Sequence, residues 1–232
     1  MFTLHHLIES RSQRIVWMLE MVGVEYQIKA YKRDAKTNLA PDNYKALHPL
    51  GSAPLLEHHL SDGTSTMTAE SGAICEYIVQ KTGKRELLHG ADPDKESENY
   101  LSVQFWSHYS EGSFLPPLVA TMVLNKARAK AKPFFVKYIA NKLVDAILDA
   151  YFNKVSERNL KFVEAYLHDN EFFAGSSPTI ADVQMSFGLE ALVKAGKLDS
   201  CPHITEYVAR LHTMPSYRAA MEKMASAEKH PV

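Results

Sequence analysis

The chain has 232 residues, 46% of them hydrophobic and 10% aromatic, with 26 basic against 27 acidic side chains. That is enough apolar material for one large domain or two ordinary ones, and the balanced charge excludes a global field that would draw in nucleic acid or a membrane surface. Two cysteines, Cys75 and Cys201, form no CxxC and no disulfide framework, the N-terminus lacks a secretory pattern, and no apolar run reaches bilayer length, so a cytoplasmic protein is expected.

Residues 2–7, FTLHHL, predict a short strand. Ile15, Met18, Leu19 and Val22 then recur at helical spacing ahead of Gly23, a suitable helix stop. In VEYQIKA (24–30), Val24, Tyr26, Ile28 and Ala30 alternate with polar residues, which predicts a half-buried strand. PLLEH and STMT flank Asp62-Gly63, a hairpin signal, and a helix is expected from about Glu70 to Lys81, with Gly83 beyond it. The segment 84–94 is polar and turn-rich and reads as a linker. Everything beyond it reads as helix: 97–112, 118–131 after Pro116-Pro117, a long run from about Phe134 to His168, and two or three shorter helices divided by Gly196, Pro202 and Pro215. A small α/β domain followed by an all-α domain is the expected fold class.

Three loops carry candidate chemistry. In PLGSAPLLE (49–57), Pro54 enters a strand, and Ala53-Pro54 is either an ordinary trans turn or a cis bond that turns the Ala53 backbone outward to pair with an extended peptide. TAESGAICEYI (68–78) opens a helix, with Thr68 and Ser71 available for capping. Free N–H groups at such a start suit a carboxylate, and Glu70 beside it suits an ammonium, which together would fit an α-amino acid headgroup; the alternative is a plain capped helix. Thr179-Ile-Ala-Asp182 has capping-box spacing and reads as a folding element. His5-His6 and His58-His59 sit on strands, so adjacent rings face opposite sides and no metal site is indicated. The run Lys126, Arg128, Lys130, Lys132, Lys137, Lys142 alternates with alanine in part and reads as a solvated helix face. Cys75 is expected in the core and Cys201 in a structural turn.

The order of ESRSQR (9–14) after the first strand, GSAPLL, ESGAICEYI and FAGSSPTIADVQMSF resembles the cytosolic glutathione S-transferase family across essentially the whole chain. FWSHYSEGSFLPPL (105–118) further resembles its serine-type bacterial and fungal branch. The resemblance implies a thioredoxin-like α/β glutathione-binding domain over 1–83, a linker over 84–94, an all-helical domain over 95–232 that contributes the electrophile site, and a homodimer. It implies glutathione as co-substrate, no metal, and a small apolar electrophile as the other partner.

By that resemblance Pro54 is the cis-proline, the Ala53 backbone pairs with the cysteinyl part of glutathione, and Glu70 and Ser71 hold the γ-glutamyl amine and carboxylate. The thiolate needs a hydroxyl donor after the first strand, and Ser10, four residues before Arg14, fits the family spacing; Ser12 is better placed as the cap of a helix beginning near Gln13. Arg11 either stabilises the thiolate or the glycine carboxylate, or is an exposed loop arginine. Trp106, Tyr109 and Ser113 share a helical face by spacing and would line the electrophile site, Tyr109 bonding an oxyanion or leaving group, although core packing explains Trp106 equally well. Disulfide reductases of this fold need a cysteine where SRSQ stands. A glutathione-dependent peroxidase or dehalogenase on the same thiolate, and a non-catalytic interaction module, are the alternatives; a hydroxyl kept at position 10 favours an enzyme.

Overall fold

Strand β1 (Phe2–Leu7) is buried along its whole length because both of its faces are covered. Phe2 and Leu4 enter the main core, while Leu7 joins a second cluster with Tyr31, Ala40, Tyr44 and Leu55. This is the period-two alternation of a strand between two layers. Helix α1 (Ser12–Val22) carries β1 over to β2 (Tyr26–Tyr31), which lies parallel to it. The helix ends on Gly23 at φ 73°, whose N–H bonds the Leu19 carbonyl at 3.1 Å in the left-handed cap that glycine adopts without strain. The hairpin of β3 (Leu55–His59) and β4 (Ser65–Ala69) turns at Asp62-Gly63, and β3 pairs antiparallel with β1, giving the order β2-β1-β3-β4. The structure, a computed structural model, describes residues 1–90, 92–196, 198 and 200–232.

Between β2 and β3 lies a short helix α2 (Asp42–Lys45) with no periodic signature. It is held by fully buried Tyr44, whose hydroxyl donates to the His5 carbonyl at 3.2 Å. Helix α3 (Ser71–Thr82) follows β4 and stops on Gly83. The segment expected to be a plain linker contains a further short helix, α4 (Glu86–His89), pinned by buried Leu87; Ala91, also within it, lies outside the described residues.

The helical half begins with α5 (Glu96–Tyr109), which runs through a π-helical segment (Ser110–Phe114) into α6 (Leu115–Ala129). Helix α7 (Phe134–Ile147), a second π-helical segment (Leu148–Phe152) and α8 (Asn153–Asp169) form the long rod expected from the sequence. Helix α9 (Ile180–Lys194) is the buried centre, started by the Thr179/Asp182 capping box, and α10 (Pro202–Thr213) and α11 (Pro215–Glu228) complete the chain. Helices α9 and α11 both pack on α1, so one hydrophobic core runs through both halves.

Ile139 and Leu143, four residues apart on α7, are 63% and 60% exposed, so an apolar face of this helix stays uncovered in the single chain. The cations of the α6–α7 region are indeed at the surface, with Arg128 bonded to Asp145 at 2.5 Å. No helix among the described residues is long and apolar enough to cross a membrane.

Candidate functional site

Strand register fixes where the site lies. His5 pairs with Leu55, and Leu55 with Ala69, so the chain leaving β1, the chain entering β3 and the chain leaving β4 all come to one end of the strands. That end collects Ser10, the Ala53–Pro54 peptide, which is cis, and Glu70–Ser71. Glu9 and Glu70, each immediately before a site serine, have φ values of 56° and 71°, a left-handed conformation that costs a residue with a Cβ on the order of 1–3 kcal/mol. Arg33 braces the first of these turns, donating to the Ile8 carbonyl at 3.0 Å and the Glu9 carbonyl at 2.8 Å.

At the start of α1 the capping role expected of Ser12 falls to Ser10. Ser10 Oγ accepts the Ser12 backbone N–H at 3.2 Å, so Ser10 takes the free donor at the helix start. Ser12 makes no cap: the helix already includes it, and the residue before it, Arg11, has helical backbone angles. Fully buried Ser12 Oγ lies 2.6 Å from Ser10 Oγ, 2.7 Å from His6 Nδ1 and 3.3 Å from the Leu7 carbonyl oxygen. His6 Nε2 in turn meets Glu228 Oε1 on α11 at 2.8 Å. His5 faces the other side of the sheet, toward the Tyr31 hydroxyl, as strand alternation requires.

Arg14, on the next turn of α1, ties the two halves together. Its buried guanidinium donates to Ser71 Oγ at 3.2 Å, Gln184 Oε1 at 3.1 Å and Ser110 Oγ at 3.2 Å, and to the Glu111 carboxylate. Glu111 also accepts from Arg11 Nε at 2.9 Å. Burial would raise the Glu111 carboxyl, but Arg14 and Arg11 outweigh it and hold the group below its ordinary value. Ser71, expected to hold a carboxylate at this helix start, donates its hydroxyl to Gln184 Oε1 at 3.0 Å, which leaves the backbone N–H groups at the start of α3 as the donors open to an anion. Cys75 lies in the core as expected, its thiol pushed up to about 12 by burial.

The residues expected to line a second subsite separate. Trp106 is 2% exposed and packs among Phe162, Tyr166 and Phe173, with ring centroids 4.6–5.2 Å away, so it belongs to the core. Tyr109 is half-buried, and its hydroxyl is buried with no hydrogen-bond partner among the described residues; burial pushes it up to about 12. Ser113 is exposed, and its carbonyl accepts from Asn159 Nδ2 at 2.8 Å. The shared helical face assumed α spacing throughout, and the π-helical turn at Ser110–Phe114 rotates Ser113 away from it. Arg14, Ser110, Glu111 and Gln184 were missed as a cluster; Arg14 and the Glu111 it pairs with are 97 residues apart, and no local pattern joins them. Among the described residues no group of three or more His, Cys, Asp or Glu side chains is placed to hold a metal ion.

Comparison with known proteins agrees with this layout. The family model for the glutathione S-transferase N-terminal domain matches residues 1–80, and one for the C-terminal domain matches residues 125–223. Glutathione S-transferase 3 of Schizosaccharomyces pombe is 36% identical over 226 residues, covering 97% of this chain and 88% of that protein. Glutathione S-transferase 1 of Saccharomyces cerevisiae is 33% identical, covering 94% and 93%. A solved glutathione S-transferase structure from Actinobacillus pleuropneumoniae is 29% identical, with a TM-score of 0.74 over 96% of this chain and 92% of that one. The α/β sheet domain, the helical domain behind it and these matches have one reading in common: the chain belongs to the glutathione S-transferase family.

Proposed function

We propose that the protein conjugates glutathione to small apolar electrophiles, with the Ser10 hydroxyl stabilising the thiolate. The observation that carries this reading is the convergence of Ser10, cis Ala53–Pro54 and the start of α3 at one end of the sheet's strands. In this reading Ala53 pairs with the cysteinyl backbone of glutathione, Glu70 receives the γ-glutamyl amine, and the N-terminus of α3 at Ser71 receives its carboxylate. Arg11 is held by Glu111 and is not assigned to the tripeptide.

A thiol with a pKa of about 8.5 is only about 3% ionised at neutral pH, and lowering it by about two units, worth about 2.7 kcal/mol, makes most of it nucleophilic. One hydrogen bond to a charged group contributes about 1.5–3 kcal/mol and a helix N-terminus about 0.3–1 kcal/mol, so Ser10 at the start of α1 suffices in magnitude. The thiolate attacks the electrophile: an S–C bond forms as the bond to a leaving group, or the π bond of an acceptor, breaks, and the negative charge passes to the leaving group or to the adduct on the side of the helical domain, where Tyr109 is the hydroxyl we assign to meet it.

Residues 1–83 form the glutathione-binding unit in this reading, 84–94 the link and 95–232 the electrophile side. The working form is a cytoplasmic homodimer, supported by the apolar face of α7 that a single chain leaves exposed. Steady-state conjugation tests the proposal: Ser10→Ala is expected to lose kcat by about tenfold or more with little change in glutathione affinity. No binding of glutathione at millimolar concentration would establish a non-catalytic module instead, and turnover of peroxides alone would assign the thiolate to reduction.

A further inference from the structure

Four polar side chains stand in a line from the surface to Ser10. Val232 N–H bonds the Ala30 carbonyl at 2.8 Å, fastening the end of the chain to β2 at the residue that pairs with His6. This brings Glu228 against His6, 222 positions away in sequence. The contacts then run Glu228 Oε1 to His6 Nε2 at 2.8 Å, His6 Nδ1 to Ser12 Oγ at 2.7 Å, and Ser12 Oγ to Ser10 Oγ at 2.6 Å.

The direction of each bond follows from which groups can donate. A carboxylate only accepts, so Nε2 carries the imidazole proton and, in the neutral ring, Nδ1 is a lone pair. Nδ1 therefore accepts the single hydroxyl proton of Ser12, for which the Leu7 carbonyl at 3.3 Å is the longer competitor. Ser12 Oγ can then only accept from Ser10. Ser10 Oγ, already taking the Ser12 N–H, points its own proton inward and keeps a lone pair for a donor outside, as a thiol S–H would be. Burial favours the neutral form of His6, lowering it below its ordinary value against the opposing pull of Glu228, the charged side chain within hydrogen-bond reach of it among the described residues.

We propose that this chain carries the glutathione thiol proton inward to His6, so that Ser12, His6 and Glu228 are positioning residues acting through Ser10. The S–H bond breaks as its proton passes to Ser10 Oγ, the Ser10 proton passes to Ser12 Oγ, and the Ser12 proton passes to His6 Nδ1. One N–H bond replaces one S–H bond, no electrons leave the system, and the neutral thiol and imidazole become a thiolate and an imidazolium facing Glu228. Both hydroxyls have reversed direction, and Ser10 now donates to the sulfur. The inference rests on the proposed function, since it needs glutathione at Ser10.

Nitrogen-15 NMR of the full chain labelled at histidine tests it, with His6→Asn used to identify the His6 signals and thiolate ultraviolet absorbance followed on the same samples. At neutral pH the free protein and its S-methylglutathione complex are expected to show His6 as the neutral Nε2–H form, and the glutathione complex to show it doubly protonated. An ionised sulfur with His6 still neutral overturns the relay and leaves the proposed function standing. His6 already doubly protonated in the free protein also overturns it, and bound glutathione with no thiolate fails both. Ser12→Ala, which cuts the chain but spares the ring, is expected to raise the bound thiol by about one pH unit, a tenfold lower ratio of thiolate to thiol, with His6 no longer responding to glutathione. A Ser12→Ala protein whose His6 still gains the proton refutes the route.

Discussion

Removing the Glu111 carboxylate perturbs the junction between the two halves of the site. Arg14 is 1% exposed, whereas the Glu111 side chain is 37% exposed and the Arg11 side chain 36%. A bond to a charged group contributes about 1.5–3 kcal/mol and a neutral one about 0.5–1.5 kcal/mol, while an exposed ion pair is reduced by solvent to about 0–1 kcal/mol. The Arg14 bond therefore dominates. Glu111→Gln keeps a carbonyl acceptor and is expected to cost about 1–2 kcal/mol, and Glu111→Ala about 2–3 kcal/mol. The alanine figure falls at or below the roughly 3–5 kcal/mol of a stranded buried charge, because Arg14 retains the oxygens of Ser71, Ser110 and Gln184.

Urea unfolding at neutral pH measures these values as midpoint shifts at constant slope. The Glu111 carboxyl is held below its ordinary value in the folded protein, so its contribution is complete above the unfolded value of about 4.3 and is lost as pH falls through the lower folded value. The margin of wild type over Glu111→Gln should shrink across that acid window. An alanine variant within about 0.5 kcal/mol of wild type, or a glutamine margin indifferent to acid, would refute the role given to this ion pair.

Three other changes separate packing from chemistry. Gly188→Ala on α9 gains about 1 kcal/mol of helix propensity, but its Cβ would stand 2.9 Å from the ring of buried Phe114, and overpacking at about 1–3 kcal/mol makes the net change destabilising; thermal unfolding that shows a gain contradicts this. Tyr109→Phe removes a buried hydroxyl that has no partner among the described residues, so the free protein should be unchanged or more stable, while turnover of electrophiles that develop an anion falls. Ser71→Ala leaves the α3 backbone N–H groups in place and should raise the KM for glutathione by less than about tenfold, whereas a complete loss of binding would assign the carboxylate to the hydroxyl.

Elements with a local cause were readable in the sequence. FTLHHL is strand β1 as expected, Gly23 and Gly83 end α1 and α3, and the alternation of Tyr26 and Ile28 belongs to β2. The serine pair shows where local rules stop. A serine just before a periodic helical run is ordinarily a cap, yet Ser12 lies inside α1 facing His6, because a buried imidazole from β1 and a carboxylate from α11 supply its partners. Likewise, a π-helical turn has no composition of its own, so spacing alone could not place Ser113, and a face of α7 can be apolar without being covered. What stayed illegible was long-range pairing: Arg14 with Gln184, and His6 with Glu228.

Titration of the bound glutathione thiol by thiolate absorbance bears most directly on the role of Ser10. The wild-type complex should ionise near about 6.5, about two units below the free thiol. Ser10→Ala, losing a bond to charge of about 1.5–3 kcal/mol, should return that midpoint by about one to two units. A Ser10→Ala complex that ionises at the wild-type pH would contradict the account.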